Sequence, residues 1–142
     1  MLAANDATLD GEVIAADETG RPQFYDLLRR ARPPAYVAFD ILWLDGTDLR
    51  SLPLGERRKR LQAILPVKSP IIAEPLSVTG RGRELFELMC SNDLEGIVAK
   101  RLDDPYEPRV RWLKIKNDDY SQKEGRGDLF NGPRQPPAHS GG

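Results

Sequence analysis

Lys114 and Lys116 stand two residues apart in the segment Trp112-Leu113-Lys114-Ile115-Lys116, which comes after Glu95-Gly96-Ile97-Val98-Ala99-Lys100 and a short loop. Apolar and β-branched residues with charges set among them read as strands lining a polar cleft. In an extended strand alternate side chains share a face, so Trp112, Lys114 and Lys116 point one way and Leu113 and Ile115 the other. Two ammonium groups held side by side repel unless an anion lies between them, and a polyphosphate meets that need. Glu95 offers a hard carboxylate oxygen suited to a divalent metal or a ribose hydroxyl. One strand thus reads as gripping phosphate and its neighbour as gripping metal, which is nucleotide chemistry. Lysines at this spacing also blunt ordinary solvated sheet edges, so the two segments alone leave both readings open.

Composition narrows the classes. The 142 residues are one domain's worth, enough for a modest core. Acidic and basic side chains number 22 and 21, and a net charge of -1 gives no whole-chain attraction to nucleic acid or membrane. Contact with a polyanion must therefore come from a local patch. A lone cysteine, Cys90, excludes a disulfide framework or a cysteine metal cluster, reads as helix packing beside Met89, and fits a reducing, cytoplasmic setting. There is no charged-then-apolar leader and no long apolar run, so neither secretion nor a membrane span is expected. His139 lies in a Pro/Gly/Ser tail and is a poor candidate for catalysis.

The elements that must position these side chains are set by period and punctuation. Leu9 to Ala15 reads as a strand with Asp10, Glu12 and Ile14 on one face, Leu9, Val13 and Ala15 toward the core, and Gly11 permitting close backbone approach. The spacing of Phe24, Leu27 and Leu28 predicts a helix over 23–32, closed by Pro33-Pro34. Ala35 to Leu44 is the most hydrophobic run, does not alternate cleanly, and reads as a central strand covered on both faces. Asp45-Gly46 is a turn or hairpin signal. A helix is expected from Leu54 to Leu65, with Leu54, Leu61, Ile64 and Leu65 buried and the run Arg57-Arg58-Lys59-Arg60 as its solvated outer face. A strand over Ile71 to Leu76 and a helix over Gly80 to Asn92 complete a mixed α/β or α+β domain, and the Pro/Gly-rich stretch 131–142 is expected to be disordered.

Four segments in fixed order carry a resemblance: Leu-Asp-Gly-Glu-Val at Leu9 to Val13, Ala-Phe-Asp-Ile-Leu at Ala38 to Leu42, Glu-Gly-Ile-Val-Ala-Lys at Glu95 to Lys100, and Trp-Leu-Lys-Ile-Lys at Trp112 to Lys116. They resemble motifs III, IIIa, IV and V of the ATP-dependent DNA ligases, a branch of the covalent nucleotidyltransferases, and are most similar to bacterial ligases linked to end joining. The stretch Asn117 to Phe130 also resembles the segment after motif V in some of those proteins. The resemblance implies an α+β fold, part of an adenylation domain of the ATP-grasp-like ligase type, with mixed, largely antiparallel sheets flanked by helices over 1–130.

It implies roles too. Glu12 would sit by the ribose or a metal, since a carboxylate accepts from a hydroxyl or ligates Mg²⁺ (or Mn²⁺). Phe39 would stack on adenine, with a core aromatic as the competing reading. Glu95 would hold the metal. Lys114 and Lys116 would contact the ATP phosphates and neutralise charge as pyrophosphate departs, Lys100 would support the site from the face opposite Glu95, and Asp10 would be a structural partner. The implied partners are ATP and duplex DNA with nicks or ends.

The family's reaction begins with a lysine in Lys-x-Asp-Gly attacking the α-phosphate of ATP. Here Thr8-Leu9-Asp10-Gly11 has the ending but a threonine in the lysine's place, and a hydroxyl cannot form a phosphoramidate. The residues after Lys116 are too few for the five-stranded OB-fold that closes over the nucleotide. The chain therefore reads as a truncated adenylation domain, with the nucleophile and an OB-fold expected from a missing N-terminal segment or a separate chain, and no self-adenylylation expected. An inactive nucleotide- or nucleic-acid-binding remnant, and an RNA ligase or capping-type enzyme, are the alternatives.

Overall fold

A computed structural model describes residues 1–18 and 32–121. The helix expected over 23–32 and the tail after Ser121 lie outside the described residues. Strand β1 (Ala7–Ala15) pairs antiparallel with β2 (Pro34–Leu44), which turns at Asp45-Gly46 into β3 (Thr47–Asp48). Helix α1 (Leu54–Ile64) comes next, then β4 (Ile72–Ala73), the one parallel partner of β2 among the described residues, and helix α2 (Gly82–Ser91). Strands β5 (Gly96–Ala99) and β6 (Leu113–Lys116) form a separate antiparallel ribbon. Antiparallel pairing in both sheets with two flanking helices makes the domain α+β.

The central position of β2 explains its run of apolar residues. With neighbours on both sides and α1 against it, Ala38 and Ile41 are wholly buried, and Leu49, Leu61 and Ile64 close the core with them. The Asp45-Gly46 turn has positive φ at both residues (45° and 85°), as a two-residue hairpin of matching twist requires. Gly11 is obligatory for a different reason: a Cβ there would lie 2.2 Å from the Val37 carbonyl oxygen. Close approach of β1 to β2 depends on its absence.

Three expectations need correction. Val13 is exposed rather than in the core, on a strand that has a partner on one side only among the described residues. The strand expected over Ile71 to Leu76 shrinks to Ile72–Ala73, and Leu76 is exposed. On β6, Leu113 and Ile115 are exposed on the face opposite Lys114 and Lys116. The largest correction concerns Arg57, which is not on a solvated face: it is 1% exposed and lies among the most deeply buried side chains.

Candidate nucleotide site

Register determines what β1 and β2 present. Asp10 pairs with Asp40, and the next pair is Gly11 with Ala38, so Phe39 is the extra residue of a bulge in β2. A bulge leaves its extra residue out of the ladder and re-aims its side chain. Two carboxylates opposite each other in a ladder repel, and each is separately satisfied here. Asp40 is fully buried and receives a fork from Arg57, with Nε donating to Oδ1 and Nη2 to Oδ2, both at 2.8 Å. The Ile41 amide donates to Oδ1 as well. Asp10 accepts from the Tyr106 hydroxyl at 3.1 Å, a contact that ties β1 to a distant loop.

Arg57 extends this arrangement to the loop between β5 and β6. Its Nη1 donates to the carbonyls of Leu52 (2.5 Å) and Asp104 (3.0 Å). The first amides of α1 point at the same loop: Leu54 N–H donates to Asp104 O and Gly55 N–H to Leu102 O, each at 2.9 Å. Pro53 precedes the helix without a side-chain cap, so these carbonyls satisfy its otherwise orphaned N-terminal donors. A buried pair of this kind is retained only with good geometry and full hydrogen bonding, and both are present.

The ribbon then brings its own cation to β2. Lys100, just after β5, holds its Nζ 3.7 Å from the Trp112 ring centroid and 5.7 Å from that of Phe39. Trp112 in turn meets Tyr106 edge-to-face at 6.1 Å, and the Arg57 guanidinium lies over Tyr106 at 5.7 Å. The result is a cation against two aromatic faces, backed by the Asp10 and Asp40 carboxylates. Phe39 is partly exposed, lies outside the buried core cluster and carries the ammonium over its ring.

Burial pushes the Lys100 ammonium below the ordinary lysine value, while Asp40 and Asp10 pull it back. Tyr106 and Tyr36 are raised above the usual phenol value, first by burial; Asp10 adds to both, through a hydrogen bond and its charge at Tyr106 and its charge alone at Tyr36. Trp112 emission in a Trp43→Phe background is therefore expected to titrate with Lys100 at a midpoint below 10.5. An unfolded chain keeps its lysine proton through that window while the folded one sheds it, so this group's contribution to stability rises with pH there. A Trp112 transition at or above 10.5 would contradict the assignment.

Lys114 and Lys116 are exposed on β6, paired with Val98 and Gly96, so they share one face of the ribbon. Lys100 and Trp112 continue that register one step beyond the ladder. Glu95 precedes β5, exposed, with its carbonyl accepting from Asn117 N–H at 2.8 Å. Glu12 is exposed on β1 opposite Val37. The structure thus joins Phe39, Lys100 and Trp112 by direct contact, and holds Glu95, Lys114 and Lys116 on one ribbon. Glu12 stands on the other sheet. An open groove lined by Asp48, Arg50, Ser51 and Pro105 to Pro108 includes none of these residues.

Arg57 and Tyr106 were invisible as site residues in the sequence. A signal existed for the first: positions 54, 57, 61 and 64 form one helical stripe, and Arg57 completes the set Leu54, Leu61 and Ile64.

Residues 2–116 match the family model of the ATP dependent DNA ligase domain. The chain belongs to that family. Among relatives of this ligase-family chain, the multifunctional non-homologous end joining protein LigD of Mycolicibacterium smegmatis is 40% identical over 120 residues, covering 81% of this chain and 16% of that protein. The SPbeta prophage-derived DNA ligase-like protein LigB of Bacillus subtilis is 36% identical over 123 residues, covering 80% and 45%. The crystal structure of the ligase domain from M. tuberculosis LigD superposes with a TM-score of 0.66 at 32% identity, over 78% of this chain and 38% of that one. A mycobacterial DNA ligase D complexed with ATP and MES aligns over the same shares, with a TM-score of 0.64. This ligase-family chain thus spans less than half the length of these relatives.

Proposed function

We propose that this chain is the nucleotide-gripping portion of an ATP-dependent ligase adenylation domain, cytoplasmic, serving adenylate transfer from ATP for the sealing of nicked or broken duplex DNA in repair and recombination. The observation that carries the reading is the contact of Lys100 with Phe39 and Trp112. It sets the lysine-bearing ribbon directly beside the aromatic bulge of β2. A base stacked on Phe39 would direct its phosphates along the ribbon toward Lys114 and Lys116.

Lys114 and Lys116 would then neutralise the charge that grows on the leaving pyrophosphate as an amine bonds to the α-phosphorus and the bridging P–O bond breaks. None of the chain's lysines stands in Lys-x-Asp-Gly, so we assign the attacking amine to a group outside these residues. An OB-fold, where one takes part, is assigned outside them as well. Among the described residues no three His, Cys, Asp or Glu side chains cluster to hold a metal. Two exposed carboxylates, Glu12 and Glu95, fit an ion such as Mg²⁺ or Mn²⁺ that arrives with the triphosphate and retains much of its water.

Incubating the chain with α-labelled ATP and Mg²⁺ tests the proposal. Nucleotide retained in equilibrium dialysis, with no label on the chain after denaturation, is the expected result. Absence of retained nucleotide at millimolar ATP would overturn the binding reading. A denaturation-stable label would instead show that one of the chain's own lysines is the nucleophile.

A further inference from the structure

We propose that Tyr106 is a positioning residue that sets the lysine-bearing strand β6 against the sheet carrying Phe39; the inference rests on the nucleotide-binding reading above. Tyr106 lies in the loop between β5 and β6 and touches three separate segments. Its hydroxyl donates to Asp10 Oδ2 on β1, its amide donates to the Arg50 carbonyl at 2.8 Å, and its ring lies under the Arg57 guanidinium of α1. Its edge-to-face partner is Trp112, the residue immediately before β6.

A single side chain therefore connects the β1 carboxylate to the residue from which β6 starts. The loop backbone is anchored independently, through the carbonyls of Leu102 and Asp104 on α1. The ring contacts orient Trp112. The hydroxyl fixes the ring relative to β1, since a phenol bonded to a carboxylate through a charge-assisted hydrogen bond has little freedom to tilt. Tilting the ring would shift Trp112, and with it the line of Lys114 and Lys116 relative to Phe39. The base and the phosphates of one nucleotide touch these two sheets separately, so their spacing governs how well both ends are held at once.

Tyr106→Phe keeps the ring and removes only the hydroxyl. In the 142-residue chain, with Trp43→Phe leaving Trp112 as the one tryptophan, the variant is expected to lose about 3- to 10-fold in ATP affinity with adenosine binding unchanged. Trp112 emission should shift and its quenching by acrylamide increase. Asp10→Ala should reproduce both effects, and the double variant should be no worse than either alone. Where Tyr106→Phe lowers the melting temperature into the assay range, Asp10→Asn serves instead: its amide oxygen still accepts from the phenol but carries no charge, so its loss of ATP affinity and its Trp112 emission should fall between those of the parent and of Asp10→Ala. Equal loss of ATP and adenosine binding would mean general loosening and overturn the proposal, as would unchanged Trp112 emission and quenching. A parent chain that binds no ATP overturns the nucleotide reading instead, and the Trp112 measurements then decide the tether by themselves.

Discussion

Arg57→Ala is expected to lower the unfolding free energy by about 3–5 kcal/mol, as when one member of a buried ion pair is removed. The loss has three sources. Asp40, fully buried, would be left as an uncompensated charge beside the Ile41 amide. The carbonyls of Leu52 and Asp104 would lose their shared donor. A cavity the size of a guanidinium would open over the Tyr106 ring. Against a total stability of roughly 5–15 kcal/mol for a domain of this kind, that is a large fraction. Urea denaturation of the chain measures it, and a change below about 1 kcal/mol would contradict the account of the pair. Arg57→Met with Asp40→Leu should recover much of the loss, because removing both charges leaves neither one stranded.

Lys114→Ala with Lys116→Ala is expected to weaken ATP binding by at least about 100-fold, since charge-assisted hydrogen bonds are worth about 1.5–3 kcal/mol each and two are removed. Adenosine binding should be unaffected, as should thermal stability, because both side chains are exposed on the ribbon and bury little on folding. Isothermal titration with ATP and with adenosine separates the two. An unchanged ATP affinity would show that the ribbon is an ordinary solvated edge, the competing reading of a Lys-x-Lys strand. Arg57 behaves in the opposite way. Substituting one buried arginine should cost the fold, and substituting two exposed lysines should cost only the ligand.

The family resemblance gives Lys100 a supporting role and strand alternation puts it on the face opposite Glu95, yet the geometry gives it direct contacts with two aromatic rings. Its neighbours come from three places in the chain: Phe39 in β2, Trp112 before β6, and the paired carboxylates Asp10 and Asp40. Alternation predicts which face a side chain takes. It cannot say which side chains from other segments will meet it there.

What the sequence by itself determined was local. The strand at Leu9 to Ala15, the hydrophobic central strand, the Asp45-Gly46 turn and the two helices arise from period, propensity and turn chemistry, which act between residues a few positions apart. The pattern of Glu95, Lys114 and Lys116 was read the same way, whereas the roles of Glu12 and Phe39 came from the resemblance of their motifs to the ligase family. Tertiary structure alone decided the bulge at Phe39, since register depends on both strands together. It also decided the burial of Arg57, whose partners lie 17 residues away at Asp40 and 47 away at Asp104. A guanidinium in a basic run is solvated by default. Only a carboxylate and a carbonyl held in place by distant segments can replace that water, and no window of local sequence contains them.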